Sequence, residues 1–129
     1  MKAVLARQYG PPESLVIEDV PSPVPGPGEL VISVHASAVN FPDTLIIENK
    51  YQIKPALPFS PGGEVAGVVK QVGEGVTNFA PGDRVIAVCG YGGFAEEVLT
   101  TAAKAVALPP TLSMEARSEE RRVGKECRL

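Results

Sequence analysis

The chain has 129 residues, which fits one domain at about 100–200 residues per domain, and 12 Lys and Arg against 15 Asp and Glu leave it at a net charge of -3. That acidity argues against nucleic acid as a partner, because such binders carry a basic patch or stripe. An apolar share of 44% supports a buried core, whereas 13 Gly and 13 Pro exclude a bundle of long helices, whose interiors both residues disrupt.

In chain order, Lys2 to Ala6 alternate as a short first strand, and Ser14 to Val20 predict a second. Prolines at 21, 23, 25 and 27 then make an extended crossing loop. Glu29 to Val39 give the strongest strand, with Leu30, Ile32, Val34, Ala36 and Ala38 on one face and Ser33, His35 and Ser37 on the other. Asn40 reads as a helix N-cap, with Phe41, Pro42 and Asp43 in the first turn of a short helix reaching about Lys50. Glu64 to Val72 form the next alternating strand. Gly73-Glu74-Gly75 and Pro81-Gly82-Asp83 are turns. Arg84 to Cys89 and Phe94 to Thr100 complete the predicted strands. Strands cut this often by turn residues point to a barrel or sandwich rather than a parallel sheet.

Two cysteines without a spacing motif, Cys89 and Cys127, indicate neither a disulfide scaffold nor a metal knuckle. Cys89 reads as a small buried hydrophobe, and His35 as a solvated or hydrogen-bonded histidine on a polar strand face. Gly90-Tyr91-Gly92-Gly93 lacks the G-x-G-x-x-G spacing and a following helix, so it reads as a turn. Glu96 and Glu97 fall on opposite faces of a strand and are no acid–base pair. The amino terminus lacks a signal peptide's apolar core, and no run approaches the ~18 apolar residues of a membrane span. The expectation is a cytoplasmic protein with no membrane partner.

The candidate constellation is Asn40-Phe41-Pro42-Asp43-Thr44, then Tyr51, then Pro61-Gly62-Gly63-Glu64, then Gly82-Asp83-Arg84-Val85. Taken singly, Asn40 is a cap, Asp43 an acid favoured by the helix dipole, and Tyr51 a half-buried anchor. In this order they resemble the N-terminal GroES-like catalytic domain of the medium-chain dehydrogenase/reductase superfamily. The resemblance is nearest to its zinc-free NADPH:quinone oxidoreductases and covers residues 1 to about 116. It implies a mainly β fold with short helices, a GroES-like partly open β-barrel. Zinc-dependent relatives place a cysteine where Phe41 stands and a histidine where Gly63 stands, and neither residue here supplies a ligand. The cysteines of their structural zinc loop are also missing after Val85, so no metal is expected.

The resemblance further implies hydride transfer from NADPH to a quinone or enone, with the protein supplying orientation and electrostatics. It makes Asn40 and Asp43 cofactor-binding, and Asp43 and Tyr51 catalytic. Asp43 would order water or a hydroxyl, and the Tyr51 phenol would donate to the substrate oxygen as charge builds there. A homodimeric parent is implied as well. A zinc-free enoyl or crotonyl reductase shares this chemistry, and a co-chaperonin-type GroES-like module is the non-enzymatic alternative.

Composition changes near residue 117. All the prolines and every glycine except Gly124 lie at or before Pro110. Residues 117–129 carry a net charge of +2, which leaves -5 on residues 1–116. Arg117 to Arg128 are similar to the conceptual translation of a widely used sequencing-library adapter. The expectation is a domain over residues 1–116, truncated before a nucleotide-binding Rossmann domain, with 117–129 a non-native tail. Such a truncated chain is expected to be inactive alone.

Overall fold

The computed structural model describes residues 1–52 and 54–108. The expected lead-in to a further helix, Cys127 and the tail lie outside the described residues. Seven strands and one α-helix follow in the order β1 (Lys2–Leu5), β2 (Val16–Asp19), β3 (Glu29–Ala38), α1 (Phe41–Ile46), β4 (Glu64–Val72), β5 (Arg84–Val88), β6 (Glu97–Thr101) and β7 (Ala105–Ala107). Short 3₁₀ turns occupy Pro12–Ser14 and Ala102–Lys104. Among the described residues the fold is mainly β, as the sequence implied.

The strands form two sheets, a β1-β2 ribbon and a five-stranded sheet in the order β6-β3-β4-β5-β7. Every pairing is antiparallel. The ribbon is stitched to the larger sheet through an Ala3–Ala95 bridge and an Ala6–Phe59 bridge. The Val4 N–H donates to the Phe94 carbonyl at 2.8 Å, and the Glu96 N–H to the Lys2 carbonyl at 3.0 Å. The result is a partly open barrel whose two sheets do not close into one ladder.

Its core lies on the inner face of the large sheet, where Leu30, Ile32, Val65, Val69, Val85, Ala87 and Val98 form one buried cluster. Complete burial of an aliphatic side chain stabilises by about 1.5–3 kcal/mol, so this cluster fixes the sheet's register. A second cluster joins Ala6, Ile46, Ile47 and Phe59, seating α1 against the ribbon end.

Several elements differ from the sequence reading, each for a physical reason. Leu30, Val31 and Ile32 are all fully buried, because β3 is central and covered on both faces; strict alternation fails there. Register shifts occur at Val31/Ile32 and Val34/Ala36, as an irregular strand requires. The second strand begins only at Val16, since Ser14 turns back to the Pro11 carbonyl through its N–H (2.9 Å) and hydroxyl (2.7 Å). The helix ends at Ile46 rather than near Lys50, and Asn49 then takes a left-handed φ of 61°. Residues 94–96 pair with β1 instead of extending β6.

Candidate functional site

The site grows from the point where β3 runs into α1. Asn40 has extended dihedrals (φ -122°, ψ 161°) and sits at the N-cap, with Asp43 at the third helical position, the two places of a capping box. The Asn40 N–H donates to Asp43 Oδ2 at 2.8 Å, and the Asp43 N–H returns to the Asn40 main-chain carbonyl at 3.0 Å. Asn40 Oδ1 is buried and is set toward the Asp43 N–H as the other half of the box, without a hydrogen bond of full geometry. Asn40 is thus a cap, as expected.

Asp43 is 6% exposed. Its carboxylate accepts the Asn40 N–H, and the backbone N–H groups of Gly62 and Gly63 also favour its charged form, so it lies between the start of α1 and the Pro61-Gly62-Gly63-Glu64 segment. Burial raises its pKa above the ordinary 3.8, and the three N–H donors offset part of that rise. The two motifs that the sequence placed in order therefore meet around one side chain.

The glycines make this contact possible. Gly62 holds a left-handed φ of 104°, and a Cβ there would lie 2.6 Å from Phe94 Cδ1 and 2.8 Å from Phe94 N. Its carbonyl accepts the Gly93 N–H at 2.9 Å and the Cys89 thiol at 3.4 Å. The Gly63 carbonyl accepts the Cys89 N–H at 2.7 Å. Gly90-Tyr91-Gly92-Gly93 is thus a turn, as expected, laced to the segment that holds Asp43.

Cys89 is half-buried and packs on the main core cluster. Burial pushes its thiol up to about 11, with smaller upward contributions from the charges of Asp43 and Glu64 and a downward one from Lys104. It is a protonated donor, not a thiolate. Glu64 is 8% exposed, and its Oε2 has no hydrogen-bond partner among the described residues. Sequence reasoning quoted Glu64 within a motif but gave it no role; a lone acid opening a strand carries no signal of burial.

Tyr51 is half-buried against Ala6, Ile46, Ile47 and Phe59. It enters the site's surroundings by packing and is absent from the hydrogen-bonded cluster of Asn40 and Asp43. His35 is exposed, as expected. A groove of about 600 Å³ runs between the ribbon and β6, lined in part by Ala3, Leu5, Phe59, Cys89 and Val98. Asn40, Asp43 and Tyr51 do not line it. The polar cluster is the better candidate site, because buried acceptors and a perturbed carboxyl gather there while the groove wall is largely apolar. Among the described residues, no group of three His, Cys, Asp or Glu could hold a metal ion, and no helix is long and apolar enough to cross a membrane.

Residues 26–110 match the family described as the alcohol dehydrogenase GroES-like domain. The chain is 41% identical over 114 residues to quinone oxidoreductase from Rattus norvegicus, covering 87% of this chain and 35% of that protein. Its fold is similar to a solved quinone oxidoreductase from Escherichia coli complexed with NADPH, with a TM-score of 0.84 and 32% identity, over 89% of this chain and 35% of that one. A probable oxidoreductase from Mycobacterium abscessus gives a TM-score of 0.83 at 42% identity, over 92% of this chain and 37% of that one. The chain spans about a third of the length of these relatives.

Proposed function

Because the chain belongs to the alcohol dehydrogenase GroES-like domain family of the medium-chain dehydrogenase/reductase superfamily, we propose that it forms the N-terminal side of the cleft of an NADPH-dependent reductase acting on a quinone or similar enone. The observation that carries this reading is the Asp43 contact, which gathers Asn40 and the Gly62-Gly63 turn into one buried polar cluster within a domain similar to quinone oxidoreductases. The parent enzyme would be a cytoplasmic homodimer. Residues 1–116 are its N-terminal domain in this reading, and residues 117–129 are foreign to it.

Asn40 suits a nicotinamide nucleotide, since its half-buried side chain carries an amide that can both donate and accept, and the nucleotide offers matching groups in its carboxamide and ribose. When bound, the reduced nicotinamide supplies the hydride. The Tyr51 phenol stabilises the substrate oxygen by donating to it as negative charge develops. Zinc is not required in this reading. Glycine stands at position 63, and Cys89 keeps its proton and donates it to the Gly62 carbonyl. Because the chain spans about a third of the length of its relatives, it is proposed to be inactive alone; orientation and cofactor binding would be lost together.

The test is quinone reduction by NADPH in the longer enzyme that carries this domain. Tyr51→Phe should lower kcat about 10²–10⁴-fold, the usual worth of a positioned proton donor, with KM changed little. Unchanged turnover would remove Tyr51 from the reaction.

A further inference from the structure

We propose that the groove between the ribbon and β6 binds the fused aromatic ring of a quinone, and that Tyr91 selects such rings over aliphatic enones. This deepens the functional reading, which leaves the acceptor as a quinone or similar enone, and rests on that reading only for the purpose the binding serves.

The groove has the size and character of a small-molecule site. Its volume of about 600 Å³ falls within the ~300–1,000 Å³ usual for such sites, which are mostly apolar with a few placed polar groups. Leu5, Phe59 and Val98 line it as buried side chains, and Tyr91 stands 41% exposed at its wall. The Tyr91 and Phe59 rings meet edge to face, with centroids 6.3 Å apart and planes at 78°. Two rings set nearly at right angles leave a corner. A flat aromatic ring placed there stacks on one and meets the other edge to face, both favoured arrangements. A puckered aliphatic ring gains neither.

Tyr91 is also held in place before any ligand arrives. The Gly90 N–H donates to the Gly63 carbonyl at 3.3 Å, and the Gly92 N–H to the Ser60 carbonyl at 2.6 Å. An exposed ring on a backbone fixed at both sides has less freedom to lose on binding. Phe59 belongs to the cluster against which Tyr51 packs, so the aromatic corner is continuous with the surroundings of the phenol proposed to meet the substrate oxygen.

The charged groups along the groove favour an oxygen acceptor on that ring. The Met1 ammonium donates to the Val20 carbonyl, Arg7 pairs with Glu18, Glu29 accepts the Gly26 N–H, and Glu97 pairs with Lys70. The Cys89 thiol already donates to the Gly62 carbonyl. Lys104 also lines the groove and has no hydrogen-bond or ion-pair partner among the described residues. Its ammonium is a donor open to a ligand, and a quinone carbonyl complements it.

The experiment is amide NMR of the 129-residue chain, without NADPH, titrated with anthraquinone-2-sulfonate, a fused aromatic quinone with no ring position open to ready thiol addition. Cyclohexanesulfonate and 2-cyclohexenone are the comparisons for the sulfonate and for an aliphatic enone. The Ser60, Tyr91, Gly92 and Val98 amides should shift and saturate with the quinone and stay in place with the other two. Tyr91→Leu, which keeps an apolar side chain, should weaken binding about tenfold. Lys104→Ala should weaken it about threefold, as an exposed charge contact would. Absent or non-saturating shifts, shifts away from the groove, an equal response to 2-cyclohexenone, or unchanged affinity in either variant would overturn the proposal. The wild-type shifts decide the location even where a variant does not fold. No turnover is read, so a failure here is distinguishable from a failure of quinone reduction in the longer enzyme.

Discussion

At Asp43, burial and hydrogen bonding act in opposite directions, and burial prevails: the folded carboxyl holds its proton more tightly than the ordinary 3.8 of the unfolded chain. The native state therefore binds more protons than the unfolded state between those two values. Linkage then requires stability to fall as pH rises through that window, the reverse of a salt-bridged carboxylate. Asp43→Asn has no proton to lose there. The wild-type stability minus that of Asp43→Asn should accordingly shrink from 3.8 up to the native midpoint and stay level above it. Urea unfolding of both chains across the acid range measures this difference. A difference that grows with pH would mean that hydrogen bonding to the carboxylate outweighs burial.

At the scale of elements, the closest approach of β3 and β4 depends on Gly67, which faces Val34 beside a register shift. A Cβ on Gly67 would sit 2.1 Å from the Ser33 carbonyl oxygen and 2.8 Å from Ile32 Cγ2. Backbone cannot yield as a side-chain tip can, so the two central strands would have to separate. Gly67→Ala should cost more than the ~1–3 kcal/mol typical of overpacking. Gly75→Ala makes the contrast, since that site is open and only its left-handed φ of 84° is at stake, a penalty of about 1–2 kcal/mol. Denaturant midpoints of the two variants should fall in that order, and equal midpoints would show that the strands can part cheaply.

Much of this element layer is legible in the sequence. β3 and β4 are long and rich in β-branched residues, and the Asn40 cap and the turns at Gly75 and Gly82 follow from local chemistry. What escapes has a non-local cause. Phe94, Ala95 and Glu96 look like the start of β6, but they are taken by β1, whose own sequence does not name its partner. β7, Ala105–Ala107, is too short to show a period. The end of α1 depends on a left-handed Asn49 that a helical pattern does not reveal. The site divides in the same way. Asn40, Asp43 and the Gly62-Gly63 pair stand out as residues, yet the approach of Asp43 to that turn exists only after β3 and β4 have paired. Residue types mark the candidates, and tertiary pairing determines which of them meet.

At the scale of the molecule, the open barrel distributes stability unevenly. β3 pairs on both sides, with β4 and β6, and Leu30, Val31 and Ile32 have no exposed surface. β2 pairs only with β1, and its Ile17 is 71% exposed. The ribbon is held through β1, by the bonds to Phe94 and Glu96 and by burial of Ala3, Leu5 and Ala6. Nothing comparable holds the outer edge of β2 among the described residues. Local opening should therefore peel β2 away while the large sheet stays intact, because few buried contacts are lost. Native-state hydrogen exchange should find β2 amides exchanging first, β1 later, and the amides shared by β3 and β4 only through global unfolding. Protection in β2 equal to that in β3 would mean that the ribbon and the sheet unfold as one unit. In that case the stitches at Ala95 and Phe59 would be as strong as the central ladder, and the barrel would behave as closed despite its two separate sheets.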